Sequence, residues 1–85
     1  MMIYDTKVTN GNYIVSDRDI IKNVEFSNCK IMLDCGLNRD VFKSVKITNS
    51  DVILRTHAFI ESGTELIIEN CKLYDISDIV LKWEV

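Results

Sequence analysis

The sequence predicts an all-β protein, a right-handed parallel β-helix (β-solenoid) of about three to four rungs. Three observations carry that prediction: an internal repeat of 21 residues, apolar–polar alternation inside each repeat, and an asparagine at the same place in each. Segments 23–33, 44–54 and 65–75 align without a gap.

In each segment apolar residues alternate with polar ones as far as Asn28, Asn49 or Asn70, and the alternation then restarts, which marks two strands meeting at a corner. Val24, Phe26, Ile31 and Leu33 are expected to face inward, with their equivalents Val45, Ile47, Val52 and Leu54, then Leu66, Ile68 and Leu73. Strands of four or five residues joined by one corner residue cannot close a hairpin. Each must therefore pair in parallel with its counterpart one rung away.

Asparagine suits the corner because it tolerates the left-handed backbone better than any other residue with a side chain except aspartate. Stacked one per rung, Asn28, Asn49 and Asn70 can bond amide to amide as a structural ladder. Cys29, Ser50 and Cys71 come next, where a small residue fits the tight interior past the bend. Cys29 and Cys71 stand two rungs apart, about 9.6 Å, too far for a disulfide.

Over residues 20–82 this pattern resembles the right-handed parallel β-helix family typified by pectate lyases and phage tailspikes. The resemblance implies that Asn28, Asn49 and Asn70 mark the sharp turn between the second and third sheets. The steps Cys29-Lys30-Ile31, Ser50-Asp51-Val52 and Cys71-Lys72-Leu73 also resemble single units of pentapeptide-repeat solenoids, although the 21-residue period and the stretches 34–40 and 55–63 do not follow that pattern.

The chain reads as a single domain over 1–85. Residues 1–19 form an N-terminal rung or cap. Either Asn10 is the corner of a shorter rung, 18 residues before Asn28, or Asn10-Gly11 is the type I′ turn of a hairpin. Residues 16–19 make a polar turn, and regular rungs cover 20–78, with loops at 34–40 and 55–63. The apolar stretch 79–85, which holds Trp83, is a C-terminal cap or an interface, because a solenoid leaves core and strand edges open at its ends.

Composition bounds the function. A chain of 85 residues, 47% hydrophobic and 27% charged, has room for one core and none for a separate substrate domain. A net charge of −3 argues against direct binding of nucleic acid, which needs a basic face. Three cysteines without a CxxC pair, and the single histidine His57, do not make a zinc set, and no cofactor is expected. No apolar run approaches the roughly 20 residues that span a bilayer. The first ten residues lack the basic flank and apolar stretch of a signal peptide. A cytoplasmic location is therefore expected, the host cytoplasm if the protein is phage-encoded. His57 has no nucleophile or orienting carboxylate placed beside it by any motif, and no enzyme is expected.

One outward set does not suit a solvated sheet. Met32, Ile53 and Tyr74 are equivalent positions, extended by Ile14 if the first rung exists. Such an apolar stripe marks an interface unless the chain covers it itself. Together with Asp34, Asp40 and Trp83 it is the candidate protein interface, and self-association is a second use for it. The expected function is that of a non-enzymatic protein-binding solenoid. Small acidic domains among phage-encoded inhibitors of host defence, and pentapeptide solenoids that imitate DNA, suggest by analogy an anti-CRISPR-like inhibitor docking on a protein target such as a nucleic-acid-handling defence complex. The alternative is a structural or carbohydrate-binding module of a fibre or tailspike.

Overall fold

Each coil of the chain is two strands and a corner, and the next coil lays the same two strands on top. The computed structural model describes residues 1–55 and 60–75. Its strands are β1 (Met2–Thr9), β2 (Asn12–Ser16), β3 (Ile20–Ser27), β4 (Lys30–Asp34), β5 (Phe42–Thr48), β6 (Asp51–Leu54), β7 (Leu66–Glu69) and β8 (Lys72–Asp75). Odd strands form sheet A in the order β1-β3-β5-β7, and even strands form sheet B in the order β2-β4-β6-β8. All pairings are parallel, and the result is a β-solenoid of about three turns.

The register follows the repeat. Phe26 pairs with Ile47, and Ile47 with Ile68, at steps of 21 residues, while Val8 pairs with Phe26 at a step of 18. Because β1 pairs with β3 and β2 with β4, residues 1–16 form a first rung and not a hairpin. The shorter step arises between sheets: residues 17–19 connect β2 to β3, whereas 35–41 connect β4 to β5.

Asn10, Asn28, Asn49 and Asn70 occupy the corners with φ of 59°, 54°, 50° and 52°. Most residues resist this conformation by about 1–2 kcal/mol each, so the asparagines lower a strain that recurs in every coil. Their side chains bond in two pairs: Asn28 Nδ2 donates to Asn10 Oδ1 at 2.5 Å, and Asn70 Nδ2 donates to Asn49 Oδ1. Between the pairs the backbone continues the ladder, with Asn28 N donating to Thr48 O at 3.2 Å.

A second left-handed column runs through sheet A. Asp5, Asn23 and Ser44 have φ of 51°, 56° and 57°, and pairing skips them. Asn23 Nδ2 donates to Asp5 Oδ1 at 2.9 Å. The bend explains why Ile21 and Val24, or Phe42 and Val45, both face inward at a spacing of three. It also makes β1, β3 and β5 seven or eight residues long instead of four or five, and adds a narrow third face to the solenoid.

The core consists of the expected columns. Val24, Phe26, Ile31, Leu33, Val45, Ile47, Val52 and Leu66 are buried, and Leu54 and Ile68 are half-buried. Leu73 is 57% exposed, since among the described residues no strand stacks beyond β8. Ser50 fills the corner interior with its hydroxyl satisfied, accepting from Cys29 N at 3.0 Å and donating to Thr48 O at 2.7 Å. Residues 35–40 form no regular strand, as expected of a loop, but the segment also supplies core: Cys35 and Leu37 are buried, and Leu37 forms a parallel bridge with Ile60.

At the N-terminal end the Tyr13 ring packs edge-on against Phe26, centroids 5.4 Å apart, and lies across Gly11, where any Cβ would collide with it. The buried Asp19 ties down the first turn: one oxygen accepts from the amino group of Met1 and the other from Ser16 N, both at 2.7 Å. The ammonium and that amide hold its carboxyl below the ordinary 3.8.

A carboxylate whose folded pKa is depressed stabilises the fold above its unfolded pKa and loses that effect as pH falls through the folded one. Asp19→Asn should therefore lower the thermal midpoint at pH 7, on the order of 5 °C for a chain of this size. The gap between variant and wild type should close as pH drops below 3.8, as thermal melts followed by circular dichroism across pH will show. Among the thiols, Cys35 is buried and pushed up to about 11 by desolvation and by Asp17, Asp19 and Asp34, Cys29 is buried, and Cys71 is half-exposed. An aromatic disulfide reagent at pH 8 should modify Cys71 alone in the native protein, with the other two reacting only on unfolding and the fast phase absent in Cys71→Ser.

Candidate interaction face

In a flat parallel sheet, residues of equal register form columns, and alternate columns face outward. On the outer side of sheet B the central column is Ile14, Met32, Ile53 and Tyr74, each the registered partner of the next. It climbs about 14 Å at the strand spacing of a sheet. Ile14 is 65% exposed, and Met32, Ile53 and Tyr74 are half-buried. Around the N-terminal part of the column lies a shallow groove lined by Asn12, Tyr13, Lys30 and the apolar residues Ile14, Met32 and Ile53.

Polar columns flank the stripe on both sides. One is Asn12, Lys30, Asp51 and Lys72 in register. The other is Ser16 and Asp34, continued by Arg55, whose backbone N donates to Leu33 O at 3.2 Å and so keeps the strand direction past β6. Arg55 Nε lies 3.8 Å from Asp34 Oδ1. Both flanks alternate in sign, as cross-strand neighbours prefer.

Sheet A presents a different chemistry. Its outer columns are Lys7, Glu25, Lys46 and Ile67, and Thr9, Ser27, Thr48 and Glu69. Ion pairs link Lys7 to Glu25 at 3.7 Å and Lys46 to Glu69 at 3.6 Å. That is a solvated face. The narrow third face carries Met2, Tyr4 and Ile20, all exposed, with Lys22 and Lys43 following Tyr4 in register.

Of the residues expected at an interface, Met32, Ile53 and Tyr74 fall in one column and Asp34 borders it. Asp40 lies in the turn leading into β5 and is not part of the sheet B register. Trp83 and His57 lie outside the described residues. Asn28 and Asn49 do line a groove, together with Asn10, Lys30 and Asp51, but it is polar, and among the described residues no aromatic side chain is part of its lining. Sequence reasoning missed Arg55 as the partner of Asp34, because the repeat alignment stopped one residue short at Leu33 and Leu54. The 21-residue step between the two was the available signal.

Among the described residues no group of three His, Cys, Asp or Glu side chains is arranged to hold a metal, and no helix is long and apolar enough to cross a membrane. No family model, curated protein or solved structure matches the chain, so what places it is its own architecture, a parallel β-solenoid.

Proposed function

We propose that this protein is a docking module that binds another protein through the outer face of sheet B. The supporting observation is the in-register column Ile14, Met32, Ile53 and Tyr74, an apolar stripe bordered by charged columns. An apolar centre with a polar rim is the anatomy of a protein interface, and methionine and tyrosine are enriched in such centres.

Inhibition of a target by occupying it is one use of such a module, suggested only by analogy with other small acidic domains. Imitation of DNA would need rows of carboxylates. Here Glu25 stands between Lys7 and Lys46, Asp51 between Lys30 and Lys72, and Asp34 beside Arg55. Binding through apolar contact, with charge fixing orientation, is the mode this surface supports.

Ile53 points outward, so Ile53→Asp should leave the coils intact. We expect the variant to match the wild type in circular dichroism and melt within a few degrees of it, while affinity for the target recovered by wild-type bait falls about tenfold or more. Retention of the target by the folded variant would remove the stripe as the docking surface.

A further inference from the structure

We propose that the occupant of the sheet B face is a second copy of this chain, packed stripe on stripe about a two-fold axis parallel to the solenoid axis. The proposal rests on the docking reading of that face and names its partner. What carries it is the phase of the flanking charges.

In the second coil the stripe residue Met32 has Lys30 two positions before it and Asp34 two positions after it. In the third coil Ile53 has Asp51 before it and Arg55 after it. The signs form a checkerboard. Stacking within one chain asks only that sign alternate down each column, which Lys30, Asp51 and Lys72 satisfy, as do Asp34 and Arg55. It does not ask that the two columns be in opposite phase.

Opposite phase is what a two-fold axis along the solenoid requires. Such an axis sets each coil against the same coil of the second copy, runs the strands in opposite directions, and places the residue before the stripe against the residue after it. Lys30 then meets Asp34 of the second copy, and Asp51 meets Arg55. Each pairing occurs twice, as in any isologous interface. In the first coil Asn12 meets Ser16, two uncharged polar residues. The stripe residues meet their own copies along the axis, Ile14, Met32 and Ile53 on the same residues opposite. The flanking columns sit about 7 Å to either side of the axis, and facing sheets pack about 10 Å apart, a gap that lysine and arginine side chains bridge.

The size of the face sets the strength. Four strands at sheet spacing and five residues across give a footprint of roughly 300 Å² per copy, against about 800 Å² in a stable complex of standard size. The association is thus a reversible monomer–dimer equilibrium that rises with concentration.

Sedimentation equilibrium between roughly 10 µM and 500 µM tests this, with circular dichroism confirming that each variant is folded. The wild type should move from 9.8 kDa toward twice that mass. Ile53→Asp should remain monomeric. Lys30→Asp should weaken the dimer about tenfold or more, because it sets a new carboxylate against that of Asp34 at both ends of the interface. The double variant Lys30→Asp/Asp34→Lys should restore it, since the exchanged charges again face opposites. Restoration by Lys30→Asp/Asp51→Lys instead would mean an axis along the strands and would overturn the arrangement. A dimer lost in Ile53→Asp but rescued by neither double variant would overturn the charge pairing. A wild type that stays monomeric throughout would overturn self-association; the docking reading would survive it if Ile53→Asp still loses its captured target, and would fail with it if not.

Discussion

In every described coil the chain passes from sheet A to sheet B within two residues, and the first of the two is an asparagine in the left-handed conformation. The corner determines what can lie on either side of it. Since a left-handed residue reverses the alternation of side chains, Phe26 and Cys29 both face inward across Asn28, and a small residue has to follow the corner if the coils are to stack. Cysteine, serine and cysteine meet that need in successive coils, and Gly11 meets it in the first, where the Tyr13 ring closes over it. With the corners in line, the backbone bonds from Lys30 N to Gly11 O, Asp51 N to Cys29 O and Lys72 N to Ser50 O run from coil to coil at one position. Register, and with it every column on the surface, depends on that alignment.

The same geometry separates the chemistry of the faces. Columns inside the coils are filled by aliphatic and aromatic residues from Ile21 to Val52. Outside, sheet A has charge on charge and sheet B has an apolar centre. Both faces are built from the same repeat and stacked by the same hydrogen bonds, so stacking alone does not call for the difference. Hydrophobic residues at Ile14, Met32 and Ile53 add little to a core from which the strand itself separates them, and a water-facing strand would be served as well by threonine. The stripe is better accounted for by contact with something outside the coils.

Most of this fold was legible in the sequence because a solenoid writes its register as a period. The 21-residue step identified the inward columns residue by residue, and the asparagines identified the corners. Two features escaped for a common reason. The bend at Asp5, Asn23 and Ser44 uses three different residue types, so no repeated letter announces it, and only the shift from a spacing of two to three between Ile21 and Val24 records it. Residues 34–40 differ in length from their counterparts, which suggests a loop, although the alternation Ile31, Leu33, Cys35, Leu37 continues without a break into the core. The choice between a first rung and a hairpin at Asn10-Gly11 was open in the sequence, because those two residues suit either turn; the parallel partners Val8–Phe26 and Tyr13–Ile31 decide it. For the candidate site, the stripe was legible because it lies inside the aligned segments, whereas its second charged flank lies just past their end.

That missed flank bears most directly on what the face binds. A stripe alone attracts any apolar surface, and one charged column beside it would favour a complementary partner without defining one. Two columns in opposite phase do more. Lys30 and Asp34 in one coil and Asp51 and Arg55 in the next make a surface whose complement in charge is the same surface turned about the stripe. Within the chain the opposite phase brings no benefit that equal phase would not also bring, because the ion pair between Arg55 and Asp34 needs only its own column. A pattern that internal stacking leaves undetermined, and that self-recognition requires, points outward to a second copy.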